Sequence, residues 1–296
     1  MTIITHVLSI PLEPRGPGAL GKLRTMLDAV CAEDATLAVE DGPAGEIILK
    51  GISEPQLEWV ISYLQNQPGL AFQVGTPEVR YRETITRVTD WTHTHKQSDP
   101  PQFAVLRIQL TPLGRGAGIE TEINCPSDEI PPHIPLPDFQ GAIDRGVHAA
   151  CKAGVVDGFP LTDLQVAILD AGWHDTDSPP EAFEVAARMA LREALARARP
   201  WLLEPMMVVV ALAPEEFLSE MIADFNQRRG KVQSLAMHGS IAAITALVPF
   251  ANLAGYDNDL RAMTQRRGAS TMAFDHYAEV PPRLDGEETL PAALRA

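Results

Sequence analysis

The chain has 296 residues, 45% of them apolar and 21% charged, with 24 basic against 39 acidic side chains and a net charge of −15. The excess acid is spread along the chain, 4 basic against 10 acidic residues in 1–78, 12 against 17 in 79–203 and 8 against 12 in 204–296; this excludes general nucleic-acid affinity, which rests on neutralising phosphates, and leaves only local contacts through a few placed Arg or Lys. Cys31, Cys125 and Cys151 are far apart and odd in number, which suits free thiols in a reducing cytosol; with no signal-peptide pattern and no run of roughly 18 apolar residues, a cytoplasmic chain with no membrane span is expected.

Residues 3–80 alternate strand and helix signals. Thr5–Ile10 reads as a strand, and Leu20–Asp34 as a helix with Leu20, Leu23, Leu27 and Val30 on one face. Ala35–Asp41 and Gly45–Gly51 read as strands joined by the turn Gly42-Pro43-Ala44-Gly45. Glu54–Gln67 carries Leu57, Val60, Ile61 and Leu64 at helical spacing. Ala71–Tyr81 is the last strand, completing a βαββαβ, ferredoxin-like unit.

Gly16, Gly21 and Lys22 imitate the phosphate-cradling pattern G-x-x-x-x-G-K, whose next residue must be Ser or Thr to ligate Mg²⁺. Here it is Leu23, whose methyl groups cannot bind a hard cation, and Thr25 comes two residues too late. Pro11 and Pro14 interrupt the preceding strand, and no Asn-Lys-x-Asp occurs for reading guanine. The loop is read as a Gly-rich strand-to-helix turn, with no catalytic residue and no cofactor.

The middle, 81–203, differs. Strand Tyr81–Thr89 is followed by a polar loop Trp91–Gln102, strand Phe103–Leu113 and a Gly turn at Arg115–Gly118. A Pro-rich segment, Ser127–Asp138, leads to helix Phe139–Gly154. Strand Leu161–Gly172, loop Trp173–Pro180 and an Ala-rich helix from Glu181 to Arg199 complete an α+β stretch.

Residues 204–280 repeat the first plan. Met206–Leu212 is a strand; Pro214 opens a helix carrying Phe217, Met221, Ile222 and Phe225. Lys231–Gly239 and Ile241–Pro249 pair as strands, and a helix ending at Gly268 precedes the closing strand Ala269–Pro281. Both helices end in Gln-Arg-Arg-Gly, at 227–230 and 265–268. One reading is C-capping, with Gly in the left-handed position and Arg at the negative helix end. The other is two Arg pairs at equivalent ends of the domain, forming a local basic rim. The tail 284–296 is polar and expected to fray.

At this point the residues resemble a known family. "AEDATLAVED…GEIILKGISEPQLEWVISYL" and "QVGTPEVRYRETIT" are similar to the third domain of bacterial elongation factor G. "LTPLGRGAGIE" and "GFPLTDLQVAILDAGWHDTDSPPEAFEVAARMALREAL" resemble its fourth domain, and "PEEFLSEMIADFNQRRGKVQSLAMHGS…MTQRRGASTMAFDHYAEVP" its fifth. The resemblance implies three domains, 1–80, 81–203 and 204–283. Two ferredoxin-like domains would flank one like the second domain of ribosomal protein S5. In the family, the fourth domain mimics a tRNA anticodon arm, and its tip enters the small-subunit decoding region during translocation. The fifth contacts large-subunit rRNA at the GTPase-associated region.

Site residues follow by the same resemblance. His174, Asp175, Asp177 and Ser178 match the tip loop, where an exposed imidazole can bond to phosphate or 2′-hydroxyl. His95, Lys96, Gln97 and Gln102 keep the ends of the partner loop, but Asp99, Pro100 and Pro101 replace its glycines. Asn226, Arg228, Arg229 and Gly230, with Gln265, Arg267 and Gly268, match the fifth-domain loops; Arg266 is an extra cation. His93, His95, His174, Asp175 and Asp177 would suit Zn²⁺ only if they converged; solvation of the tip is the simpler reading, and no metal is assigned. The family's GTPase domain and β-barrel have no counterpart in the resemblance. The expectation is therefore a monomeric ribosome-binding protein without its own GTP hydrolysis, partnered by rRNA, with a separate GTPase-domain protein as a second candidate partner. The alternative is a divergent paralogue serving as a non-ribosomal protein-interaction module.

Overall fold

The computed structural model describes residues 6–16, 18–42, 45–126 and 131–281. Pro43 and Ala44 of the expected turn, Ser127–Ile130 of the Pro-rich segment and the whole tail 284–296 lie outside the described residues. The chain falls into two compact units, Met1–Arg80 with Glu204–Ala296, and Tyr81–Leu203.

The first unit opens with β1 (Leu8–Pro14), α1 (Ala19–Glu33), β2 (Ala38–Asp41), β3 (Ile47–Gly51), α2 (Glu54–Gln65), β4 (Phe72–Val74) and β5 (Glu78–Val79). The sheet runs β2-β3-β1-β4, with β5 also on β1, all antiparallel. Leu57, Val60, Ile61 and Leu64 of α2 are buried as their spacing predicts. On α1 the buried stripe is Ala19, Leu23 and Leu27, while Leu20 is 51% exposed. Pro11 does not end the strand. Its carbonyl accepts from Gly75 N–H (2.8 Å), so its donorless nitrogen faces the break between β4 and β5, where no strand bond is lost. The expected closing strand is split at that same break.

The second unit comprises β6 (Arg82–Ile85), β7 (Thr89–Ser98), β8 (Pro101–Pro112), β9 (Ile119–Ile123), α3 (Leu136–Cys151), β10 (Leu164–Gly172), α4 (Pro180–Leu195) and the first residues of β11 (Pro200–Pro214). Its sheet order is β7-β8-β10-β9, with β9 and β10 parallel across α3. The sequence reading lacked β9 and ran α4 four residues too far. Phe139 and Phe183 meet edge-on at 5.0 Å in the core between α3, α4 and the sheet. The alanines of α4 let α3 approach closely: a Cβ on Gly146 would lie 2.3 Å from the Glu184 carbonyl oxygen. β6 pairs antiparallel with Pro200–Leu203.

The remainder of the first unit continues β11 into α5 (Leu218–Gln227), β12 (Lys231–His238), β13 (Ile241–Pro249), α6 (Tyr256–Met263) and β14 (Ala269–Glu279). The order β12-β13-β11-β14 repeats the ferredoxin-like arrangement. The fold is α+β, with two ferredoxin-like sheets and an S5-like one.

Candidate nucleic-acid interface

The stretch Trp91–Gln102 is not a loop. β7 runs to Ser98, pairs it with Pro101 of β8 and turns through Asp99–Pro100, a cis peptide bond. Alternation puts Trp91, His93 and His95 half-buried on one side and Thr92, Thr94 and Lys96 exposed on the other. Trp91 Nε1–H donates to Glu193 Oε2 at 2.7 Å, and His93 Nδ1–H to the same oxygen at 3.0 Å. The Arg197 guanidinium stacks 3.7 Å over the Trp91 ring. Burial works to raise the Glu193 carboxyl, but the bonds from Trp91 and His93 and the charges of His93 and Arg197 hold it below its usual value. His95 Nε2 bonds to Gln102 Oε1 at 3.1 Å, diagonally across the hairpin, since Ala104 stands opposite His95, and Lys96 and Gln97 are exposed near the turn.

The loop 173–179 connects β10 to α4 and lies against this hairpin. Phe103 N–H donates to the Asp177 carbonyl (2.6 Å). Ser178 Oγ–H donates to the Phe103 carbonyl (2.6 Å) and accepts from His174 N–H (2.8 Å). Ser178 is 1% exposed, so its expected role as a contact residue is corrected: it ties the two tip segments together. His133 Nε2 bonds to the Ser178 carbonyl at 3.0 Å, and its ring meets Trp173 edge-on at 5.6 Å. His174 and Asp175 are exposed, and His174 Nδ1 lies 3.5 Å from Asp177 Oδ2. The tip histidines thus have separate partners, and among the described residues no group of three or more His, Cys, Asp or Glu is placed to hold a metal ion.

The two Gln-Arg-Arg-Gly stretches are not equivalent. At the end of α5, Arg229 N–H donates to the Asn226 carbonyl (3.1 Å) and Gly230 N–H to Phe225 (2.7 Å); at the end of α6, Gln265 N–H donates to Ala262 (3.4 Å) and Arg266 N–H to Arg261 (2.6 Å). Both are Schellman caps, offset by two residues along the tetrapeptide. The left-handed positions belong to Arg229 (φ 60°), Gln265 (φ 54°) and Arg266 (φ 64°), not to the glycines. Gly230 is needed for close approach, because its Cβ would lie 2.8 Å from the Phe225 carbonyl oxygen; Gly268, half-buried, donates its N–H to Thr264 Oγ1 at 2.8 Å.

Nor do the arginines form one rim. β11 and β13 are antiparallel, so the helices that follow them run oppositely. Arg228, at the end of α5, donates to Asp224 (2.9 Å), to Asp259 in the first turn of α6 (2.6 Å) and to the Asn252 carbonyl (2.9 Å). Arg267, beyond α6, pairs with Glu216 just before α5 and covers Phe217 at 4.9 Å. The two clusters therefore sit at opposite ends of the helical layer. Arg228 is a corrected contact residue too: its side chain is only 15% exposed. Arg229 pairs with the buried Glu204 at 2.6 Å. Asn226, Gln265, Arg266 and Arg267 are exposed, and Arg266 makes no ion pair among the described residues. Glu193 and Glu204, which position these groups, were missed because single acids in a helix and a strand carry no spacing signal.

The imitation phosphate loop is built otherwise. Leu23 is fully buried, and Thr25 Oγ1–H donates to the Gly21 carbonyl (2.9 Å). The residue that would have to ligate Mg²⁺ is core.

Family models for elongation factor G match in order: domain III over residues 5–76, domain IV over 77–199 and the C-terminus over 201–287. Elongation factor G of Ruegeria pomeroyi is 37% identical over 290 residues, 97% of this chain and 40% of the relative. That of Rhodopseudomonas palustris is 36% identical over 284 residues, 95% and 40% respectively. A crystal structure of a Thermus thermophilus protein superposes with a TM-score of 0.72 at 30% identity, covering 95% of this chain and 42% of that one. The chain belongs to the elongation factor G family, and spans about 40% of the length of the curated relatives it matches.

Proposed function

We propose that the chain binds the ribosome through the tip of its middle domain and acts in, or modulates, translocation without hydrolysing GTP itself. The observation that carries this is the joined tip. Ser178 and Phe103 hold the His174 loop against the β7–β8 hairpin, so that His174, Lys96 and Gln97 belong to one joined, solvent-exposed tip of the middle unit in an otherwise acidic chain. Family membership supports the small-subunit decoding region as the target of the tip. The exposed Arg266, with Gln265, Arg267 and Asn226, supports a local rRNA contact of the large subunit. On this reading the protein is cytoplasmic and monomeric, with domain boundaries near residues 80 and 203. No helix among the described residues is long and apolar enough to cross a membrane.

Co-sedimentation of the purified chain with 70S ribosomes at low salt tests the proposal. Binding is expected. His174→Ala should weaken it, and Arg266→Ala should weaken it while lowering the slope of log K against log salt by about 1. A chain that stays in the supernatant at every salt concentration sinks the reading.

A further inference from the structure

The tip histidine has two ring nitrogens, and the neighbours of one decide what the other can do. Thr176 Oγ1 lies 2.9 Å from Asp177 Oδ1. A carboxylate oxygen only accepts, so the single hydroxyl proton points there. Toward His174 Nδ1, 3.2 Å away, the same hydroxyl oxygen therefore offers a lone pair. The Asp177 carboxylate lies 3.5 Å from Nδ1 through Oδ2, a charge contact. Against them stands one donor, the Thr176 backbone N–H, at 3.4 Å. The nearer hydroxyl lone pair, with the carboxylate's charge behind it, outweighs a single long neutral donor.

We infer that Nδ1 of His174 holds the ring proton, that Thr176 and Asp177 are positioning residues fixing this tautomer, and that Nε2 meets RNA as a lone pair. The side chain is 60% exposed, so Nε2 is free to take a partner. A lone pair repels a phosphate oxygen and accepts from a hydroxyl. The ligand group it selects is the ribose 2′-hydroxyl, the group that separates RNA from DNA. Asp177 thereby changes from a ribosome contact to a support. The RNA part of this inference rests on the proposed ribosome binding; the tautomer stands on the loop alone.

Two-bond ¹H–¹⁵N spectra of the full chain carrying ¹⁵N-histidine read the tautomer, with the His174 signals assigned by their loss in His174→Gln. At a pH where the ring is neutral, Nδ1 should show the protonated shift and Nε2 the bare one. The double variant Thr176→Val/Asp177→Ala, which leaves the Ser178 clamp in place, should move the ring toward the Nε2–H form. A wild-type ring already in that form, or a double variant unchanged from wild type, overturns the assignment. In a second arm, ribosomes are programmed with messages whose decoding-region codon carries ribose or 2′-deoxyribose. Loss of the hydroxyls should weaken wild-type binding roughly five-fold and leave His174→Gln unaffected, as one hydrogen bond would require. Equal loss for both proteins overturns the hydroxyl assignment. Absence of binding to either ribosome overturns the functional reading, with the spectra still deciding the tautomer.

Discussion

Arg228 directs its guanidinium into its own domain, joining Asp224, Asp259 and the Asn252 carbonyl above the Tyr256 ring. Removing it leaves Asp224, whose side chain is 15% exposed, without its cation. Breaking a largely buried pair on one side is costly, so Arg228→Ala should destabilise the protein by about 2–3 kcal/mol. Arg266→Ala, at an exposed site, should stay within roughly 0.5 kcal/mol of wild type. Urea midpoints of the two variants check this; equal midpoints would return Arg228 to the list of free contact residues. The string Gln-Arg-Arg-Gly marked the end of α5, at Gln227, but α6 stops at Met263, five residues before the expected Gly268, and the roles of the letters differ. Which residue turns left-handed depends on where the last helical hydrogen bond closes, and that is set by Phe225 and Arg261 upstream, not by the glycine. Gly230 is explained instead by its close approach to the Phe225 carbonyl that it caps, which a Cβ would meet at 2.8 Å.

Among the elements, α2, β3 and β13 were legible because their buried faces are aliphatic and periodic. β7 was not, because its inward residues are Trp91, His93 and His95, and it reads as polar throughout. Its alternating threonines and aromatic residue were the available signal. What replaces an aliphatic core here is Glu193, bonded to Trp91 and His93 from α4. Glu193→Ala should loosen β7, with amide exchange of residues 91–97 rising and stability falling by about 1–2 kcal/mol at neutral pH. The pH dependence follows from the depressed carboxyl. A folded value below the unfolded one contributes stability that is fully present above the ordinary carboxylate range and lost as pH falls through the folded value. The gap between wild type and Glu193→Ala should therefore close below about pH 4.5, the carboxyl's unshifted value. A gap that persists unchanged in acid would show that packing of the Trp91–Arg197 stack, not the carboxylate, holds the strand.

At the scale of the whole molecule, the middle unit is an insertion whose two ends are neighbours. Arg82 pairs with Leu203 and Ile85 with Pro200, so the chain enters and leaves residues 81–203 side by side. The entering strand is anchored from within: Glu83 is fully buried and accepts N–H bonds from Val156 (2.9 Å), Asp157 (2.9 Å) and Phe159 (3.0 Å). The unit also has its own core, from Leu106 and Ile108 on β8 to Phe183 and Leu191 on α4. A segment with a closed core, adjacent ends and its buried carboxylate held by three N–H donors meets the conditions for folding alone. The excised fragment 81–203 should unfold in one cooperative transition, with slow amide exchange in β8 and β10. Glu83→Ala in that fragment removes the buried acceptor of three N–H bonds, each worth roughly 0.5–1.5 kcal/mol net, and should markedly lower the midpoint of the transition. A fragment that unfolds gradually with wild-type Glu83 in place would mean that residues 81–203 need the rest of the chain to hold the tip in shape.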